Sequence, residues 1–319
     1  MDPIEALDLP ESRWIDLDGP VHYREWPGPR DGPLFVCVHG LGGSLLNWVP
    51  VAPGLARWGR VVALDLAGFG LTPLEDRSAG VTANRRLLRQ FIRTLDLSPA
   101  ILVGNSMGGM VSMLHAARNP ETVSALILVD AAFPRGRVRA SQFSPRVAAL
   151  FGAYSVAWVG ERVAKWRAAR LGPEGLVTET LRLCSPHPER IDPKLTAALI
   201  EQARRRMEVD YATPAFLEAA RAIFRANLIP TKYRSLVRAL RQPALVIHGR
   251  DDRLVPVGGA VEAVHEHANW TLEVLPDTGH IPQMDSPKRW LEVVEGWLPN
   301  VALDARPPGA AEDRTVHRA

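Results

Sequence analysis

The chain has 319 residues, of which 46% are hydrophobic and 23% are charged, and its formal net charge is +3. This composition is typical of a soluble globular protein, and the length allows a large core with an inserted segment. Two cysteines are too few for a disulfide framework or a zinc site, and no apolar run reaches the roughly eighteen residues of a membrane span. The N-terminus lacks the basic and apolar regions of a secretory signal, so we expect a reduced, cytoplasmic location.

Short apolar segments bounded by turn residues recur along the chain and predict strands. In order, they cover residues 21–25, 34–38, 61–64, 101–103, 125–129, 244–247 and 272–275, and helix-like patterns cover 82–95, 107–118 and 286–297. Most of the strands are continuous apolar runs rather than alternating ones, which is typical of strands buried on both faces. The sequence therefore predicts an α/β fold, in which helices cover both faces of a mostly parallel sheet.

One connection between predicted strands is far too long for a simple crossover. More than a hundred residues separate the strand at 125–129 from the strand at 244–247. We predict that residues 133–233 form an inserted helical cap on a core made of 1–132 and 234–299, with a disordered tail at 300–319. Most of the cap's aromatic residues are expected to pack the cap on itself; they are Phe143, Phe151, Trp158, Trp166, Phe216 and Phe224.

Basic residues are dispersed along the chain, which does not favour a nucleic-acid surface. The tightest cluster, Arg204 to Arg206, falls in a helix-like stretch and is predicted to be a solvated helix face. No G-x-G-x-x-G motif follows the first strand and no metal-ligand cluster is present. We therefore expect no cofactor, no metal and no nucleic-acid partner, and a monomer or homodimer.

The strand at 101–103 runs into Gly104-Asn105-Ser106-Met107-Gly108, and a helix-like stretch follows. A G-x-S-x-G sequence between a strand and a helix is the context of a nucleophile elbow, a tight turn that presents its serine. Gly104 and Gly108 would remove Cβ atoms that clash in such a turn. Free N–H groups at the start of the helix would favour negative charge beside Ser106.

A serine hydroxyl needs a base within hydrogen-bond reach, and the base needs a carboxylate to fix its tautomer. His280 follows the last strand, so its ring can reach over the edge of the sheet where Ser106 lies. Three aspartates could orient it: Asp252 and its neighbour Asp251 follow the strand at 244–247, and Asp130 follows the strand at 125–129.

Five motifs in this order resemble those of the α/β-hydrolase superfamily. They are His39-Gly40-Leu41-Gly42, the segment 65–70, the segment 104–109, the segment 248–256 and Thr278-Gly279-His280. The resemblance implies an α/β-hydrolase fold over about residues 12–299 and a nucleophile, acid and histidine in that chain order. It favours Asp252 as the acid, because Gly249, Asp252 and Pro256 match the family's Gly-x-x-Asp-x-x-x-Pro pattern. It also implies that the backbone N–H groups of Leu41 and Met107 form the oxyanion hole.

Serine at position 106 favours acyl transfer to water, because related epoxide- and halide-processing enzymes carry aspartate there. We expect a hydrolase that cleaves carboxylic esters, lactones included, with hydrophobic acyl groups, using Ser106, Asp252 and His280. The substrate-binding residues expected are Gly40, Phe133, Trp158 and Ile281. A carbon–carbon bond hydrolase of the meta-cleavage type is the alternative, although those enzymes usually carry tryptophan where Ile281 follows the histidine. A non-catalytic ligand receptor on the same fold is a third interpretation.

Overall fold

The computed structural model describes residues 2–134, 145–228 and 230–301. In this part of the chain, eight strands form one sheet. They are β1 (Arg13–Asp16), β2 (Pro20–Trp26), β3 (Phe35–Val38), β4 (Val61–Leu64), β5 (Ala100–Asn105), β6 (Val123–Val129), β7 (Ala244–Gly249) and β8 (Trp270–Leu275).

The order of the strands across the sheet is β1-β2-β4-β3-β5-β6-β7-β8. β2 pairs antiparallel with both β1 and β4, and every pair from β4 to β8 is parallel. The prediction of a mostly parallel sheet is confirmed. Because parallel strands end at the same edge, the loops after β3, β5, β6, β7 and β8 meet there.

Helices account for most of the remaining described chain. They are α1 (Ala52–Ala56), α2 (Val81–Thr94), α3 (Met107–Ala116), α4 (Pro145–Ser155), α5 (Ala157–Cys184), α6 (Pro193–Met207), α7 (Ala212–Leu228), α8 (Pro230–Arg238), α9 (Gly258–His265), α10 (Pro282–Asp285) and α11 (Pro287–Trp297). Together with the sheet, they give the α/β-hydrolase architecture that the sequence predicts.

The two faces of the sheet bury two separate apolar clusters. Val36 of β3 and Leu102 of β5 join the cluster that contains Phe91 of α2. Phe35, the neighbour of Val36, points to the opposite cluster, which contains Trp290 of α11. Successive strand residues face opposite sides, so an unbroken apolar run serves both clusters. Burying one such aromatic side chain stabilises the fold by about 1.5–3 kcal/mol.

Strand β1 is the strand of this sheet that the sequence analysis did not predict. It pairs only with β2, its residues are mostly exposed, and Trp14 within it is 51% exposed. An edge strand of this kind buries too little to require an apolar run, so its sequence carries no strong strand signal.

Five helices, α4 to α8, lie between β6 and β7 in the described residues. Helix α5 is kinked at Gly172, whose φ is +62°, and Pro173 follows directly. Helix α8 contains the predicted boundary between cap and core. Its Tyr233 hydroxyl donates to the Ala132 carbonyl (2.8 Å), and Tyr233 and Val237 pack into the cluster on the α2 face. Helix α8 therefore packs into this cluster beside α3. The division into core, cap and tail stays a prediction, and residues 302–319 lie outside the described residues.

Candidate active site

Ser106 occupies the turn between β5 and α3. Its φ is +54° and its ψ is −115°, a backbone conformation that is sparsely populated for any residue except glycine. The Ser106 N–H donates to the Val129 carbonyl (2.9 Å), and the Ser106 carbonyl accepts from the Ala132 N–H (3.0 Å). These bonds to the end of β6 hold the strained turn in place.

The glycines around Ser106 allow three backbone segments to approach closely. A Cβ on Gly104 would lie 2.6 Å from the Gly109 nitrogen, and a Cβ on Gly108 would lie 2.0 Å from the Val38 carbonyl oxygen. The predicted need for small residues at positions 104 and 108 is therefore confirmed. The same closeness packs the start of α3 against the end of β3.

His280 and Asp252 form a buried hydrogen-bonded pair at the same sheet edge. His280 Nδ1 lies 2.7 Å from Asp252 Oδ2, and their side chains are 7% and 1% exposed. Asp252 Oδ1 accepts from the Leu254 and Val255 N–H groups at 2.7 and 3.0 Å. With Nδ1 facing the carboxylate, Nε2 is the ring nitrogen that can serve as a base.

The loop that carries His280 is tied to its neighbours through the backbone. The His280 N–H donates to the Cys184 carbonyl at the end of α5 (2.6 Å), and the His280 carbonyl accepts from Asn105 Nδ2 (3.0 Å). The Asn105 amide also donates to the Val129 carbonyl (3.1 Å). Asn105, which sequence reasoning did not single out, therefore links the histidine loop to the elbow.

The protonation of Asp252 follows from its surroundings. Burial works to raise the pKa of its carboxyl group, but the charge and hydrogen bond of His280 oppose this effect. His248 and the Val255 N–H act in the same direction, so the pKa lies below its ordinary value. Asp252 is thus a carboxylate that can stabilise a positive charge on His280.

Asp130 and Asp251, the other candidate acids, are placed differently. Asp130 Oδ1 accepts from the Gly249 N–H (2.9 Å), and burial, reinforced by the Asp252 charge, raises the pKa of Asp130 well above its ordinary value. Asp130 therefore favours its protonated form more than an ordinary aspartate does, while Asp251 is exposed. Of the three aspartates, it is Asp252 that the structure brings to His280.

Donor atoms of Asp130, His248 and Asp252 lie within 4.8 Å of one another, as metal ligands do. However, Asp252 Oδ2 bonds to His280, and His248 Nε2 lies 2.9 Å from the Val255 carbonyl oxygen. Burial lowers the pKa of His248. These contacts fit a buried network that supports the acid loop better than a metal centre.

The two predicted oxyanion-hole residues flank Ser106. Met107 is the first residue of α3, where backbone N–H groups have no partner within the helix. Leu41 lies in the loop after β3 and lines the same cavity as Ser106. A Cβ on Gly40 would lie 3.2 Å from Ser106 Cβ, so glycine lets this loop approach the elbow.

His39 orders the loop after β3. Its Nδ1 contacts the Gly40 carbonyl (2.8 Å), and its Nε2 accepts from the Leu66 N–H (3.0 Å). Burial lowers the pKa of His39, so its ring is neutral and can accept that hydrogen bond.

Ser106 and His280 line a cavity of about 1910 Å³. Helices α4 to α7 contribute apolar and aromatic side chains to its wall, among them Phe151, Phe216 and Phe224. The predicted substrate-binding residues Gly40, Phe133 and Ile281 also line it. Trp158 does not: it is 70% exposed on the outside of α5. Trp166 is likewise 58% exposed, and Phe143 lies outside the described residues.

Arg206 corrects one sequence prediction. Arg204 and Arg205 form ion pairs with Glu201 at the surface, as expected of a solvated face. Arg206 instead lines the cavity, where Nη1 donates to the Gly68 carbonyl (2.8 Å) and the guanidinium lies 5.3 Å from the Phe69 ring centroid. Burial lowers its pKa. Residues three or four positions apart share one face of a helix. This spacing groups Arg206 with Leu199, Gln202, Ala203 and Met207, which also line the cavity.

A family model described as the alpha/beta hydrolase fold matches residues 33–287. The chain belongs to this family. A thermophilic esterase from Thermogutta terrifontis superposes with a TM-score of 0.68 at 23% identity, covering 91% of this chain and 98% of the esterase, which shows a shared fold. Membership of the α/β hydrolases supports a hydrolase.

Two curated relatives illustrate the range of chemistry in the family. The 2-hydroxymuconate semialdehyde hydrolase of Pseudomonas sp. strain CF600 is 27% identical over 83% of this chain and 86% of its own length. Human monoacylglycerol lipase ABHD6 is 26% identical over 88% of this chain and 78% of its own length. Family membership therefore does not specify which bond is cleaved, and that depends on the residues of the site.

Proposed function

We propose that the protein is a serine hydrolase that cleaves carboxylic esters, lactones included, with hydrophobic acyl groups. The observation that carries this proposal is that the strained Ser106 and His280, which is paired with the buried Asp252, line one largely apolar cavity. A nucleophile, a base and an acid that orients the base are the groups that acyl transfer to water requires.

In the proposed reaction, Ser106 Oγ attacks the ester carbonyl carbon while His280 Nε2 takes the hydroxyl proton. The Met107 and Leu41 N–H groups would bind the oxygen that becomes negative in the tetrahedral intermediate. His280 then donates its proton to the leaving alcohol, which leaves an acyl group on Ser106. Water, activated by the same histidine, attacks this acyl-enzyme and restores the serine. The Asp252 carboxylate stabilises the protonated histidine in both steps.

Replacing the proposed nucleophile tests this function. Ser106→Ala removes one oxygen and should lower kcat for a p-nitrophenyl ester on the order of 10⁴-fold or more, while the fold stays intact. The matched control is Ser112→Ala, which removes a buried α3 hydroxyl that donates to the Gly108 carbonyl (2.8 Å). That control should keep its activity. If Ser106→Ala kept more than about a tenth of wild-type kcat at an unchanged Tm, the assignment would fail.

Arg206 favours carbon–carbon bond hydrolysis as the second candidate function. A guanidinium in an apolar cavity is suited to bind a substrate carboxylate, and a vinylogous dienoate carries one. Ile281 after His280 weakens this candidate. If the protein hydrolyses carbon–carbon bonds, the purified protein turns over a dienoate. Arg206→Met then raises the KM for the dienoate, whereas Arg204→Met, at the surface, does not. If neither the dienoate nor any ester is turned over, the ligand-receptor interpretation gains.

A further inference from the structure

The first half of α5 carries an exposed aromatic and basic surface, which we call the α5 outer face. It consists of residues three or four apart, all solvent-exposed: Trp158, Glu161, Arg162, Lys165, Trp166, Ala169 and Arg170. Trp158 and Trp166 are 70% and 58% exposed. Tryptophan is rarely left so exposed without a partner, because its ring buries a large apolar area on contact.

The opposite side of the same helical segment belongs to the candidate active site. Val163, Ala164 and Ala168 line the cavity that contains Ser106. The width of one helix therefore separates most of the α5 outer face from the cavity, and Lys165, at the border, also lines the cavity. Whatever binds this face lies against the wall of the cavity.

The charge of the α5 outer face is predominantly positive. Three basic side chains accompany a single acidic one, Glu161, which pairs with Lys165 at 2.7 Å. The Arg170 guanidinium lies 5.2 Å from the Trp166 ring centroid. Tryptophan beside arginine and lysine is the composition found where helices lie in the boundary between water and lipid, and basic residues there favour anionic headgroups.

We propose that the α5 outer face docks the protein onto an anionic lipid surface. The tryptophan rings enter the headgroup boundary, and Arg162 and Arg170 contact lipid phosphates and carboxylates. A second copy of the chain fits less well, because in a two-fold dimer this basic face would meet itself. Within the described residues, no helix is long and apolar enough to cross a membrane, and surface docking does not need one.

Vesicle binding by the full-length Ser106→Ala protein tests this proposal without any turnover, so its result is separate from that of the ester-hydrolase test. We expect binding to phosphatidylcholine vesicles that contain phosphatidylserine, weaker binding to phosphatidylcholine alone, and loss of binding at high salt. The double variant Trp158→Ala/Trp166→Ala should lower the bound fraction at least about tenfold. Trp14→Ala, at an exposed tryptophan of edge strand β1, should bind like the parent protein.

A charge variant keeps the proposal testable if the tryptophan variant misfolds. Arg162→Gln/Arg170→Gln should remove the preference for phosphatidylserine and leave Tm unchanged. The proposal is overturned if the parent protein does not bind anionic vesicles, or if Trp14→Ala weakens binding as much as the double variant. Light scattering that shows a dimer lost on Trp166→Ala would also overturn it, by assigning the face to a second copy.

Discussion

At the scale of single residues, the pKa values of two neighbouring aspartates, Asp130 and Asp252, are shifted in opposite directions. Asp252 is hydrogen-bonded to His280, whereas Asp130 contacts the Gly249 N–H. We expect Asp252→Asn to lower kcat by about 10⁴-fold, because an amide favours the wrong histidine tautomer. Asp130→Asn should cost far less, since the amide keeps an acceptor for the Gly249 N–H and leaves the hydrogen bond between Asp252 and His280 in place. Ester hydrolysis by the two variants at pH 8 provides the measurement.

The exposed Asp251 supplies the control for this comparison. Asp251→Asn changes the same functional group one position away and should behave as wild type. If Asp130→Asn were inactive and Asp252→Asn active, the catalytic acid would be Asp130 at the end of β6. The hydrogen bond between Asp252 and His280 would then not be the functional one.

At the scale of elements, the crossing of α3 over β3 depends on Gly108. A Cβ there would lie 2.0 Å from the Val38 oxygen and 2.6 Å from the His39 oxygen, and both are backbone atoms that cannot rotate away. Gly108→Ala should therefore lower both Tm and kcat, because α3 must shift and carry Met107 with it. Gly296→Ala in α11 is the control, since nothing lies within 4 Å of its Cβ and alanine is the better helix former. Equal Tm values for the two variants would contradict the packing argument.

The insertion helices are proposed to set the acyl-chain preference. Phe133, Phe151 and Phe224 line the cavity. Replacing one of them with alanine should therefore change the ratio of kcat/KM values for long and short acyl esters, by an amount equivalent to about 1–3 kcal/mol of activation free energy. Trp166→Ala, on the exposed side of α5, should leave this ratio unchanged. An ester panel of increasing acyl length measures it. Loss of stability with no change in any ratio would mean that these rings only pack the insertion.

At the scale of the whole molecule, the sequence predicts the elements whose residues are buried on both sides. The strands from β3 to β7 are buried on both faces, so their apolar runs can be recognised without a structure. Strand β1 was not predicted because it is exposed. The residues alone left three aspartates as possible partners of His280, and only the family's spacing pattern favoured Asp252. The inward position of Arg206 and the outward position of Trp158 depend on how the insertion helices face the core. Helical spacing shows which residues share one face of a helix, but local sequence does not encode which face lines the cavity, because both residues lie in mixed polar and apolar helices.

The opposite pKa shifts of Asp130 and Asp252 also affect the stability of the whole fold. A carboxyl group whose pKa is lowered on folding stabilises the native state above its ordinary pKa, and this stability is lost as pH falls through the folded value. Asp252 belongs to that class. Asp130 has a raised pKa and acts in the opposite sense: its contribution is fully present below its ordinary pKa of 3.8 and is lost as pH rises through the folded value.

Comparison of wild type with Asp130→Asn isolates this second contribution, because asparagine does not titrate. As pH rises above 3.8, the free energy of unfolding of wild type should fall relative to that of Asp130→Asn by up to about 1.4 kcal/mol per pH unit. Above the raised pKa of Asp130, the difference should become constant. The shift arises because the unfolded chain loses the Asp130 proton before the folded protein does. Urea unfolding at pH 4.5, 6, 7 and 8 measures the difference. A constant difference across this range would mean that Asp130 ionises as readily in the folded protein as in the unfolded chain, and it would contradict the raised pKa of Asp130.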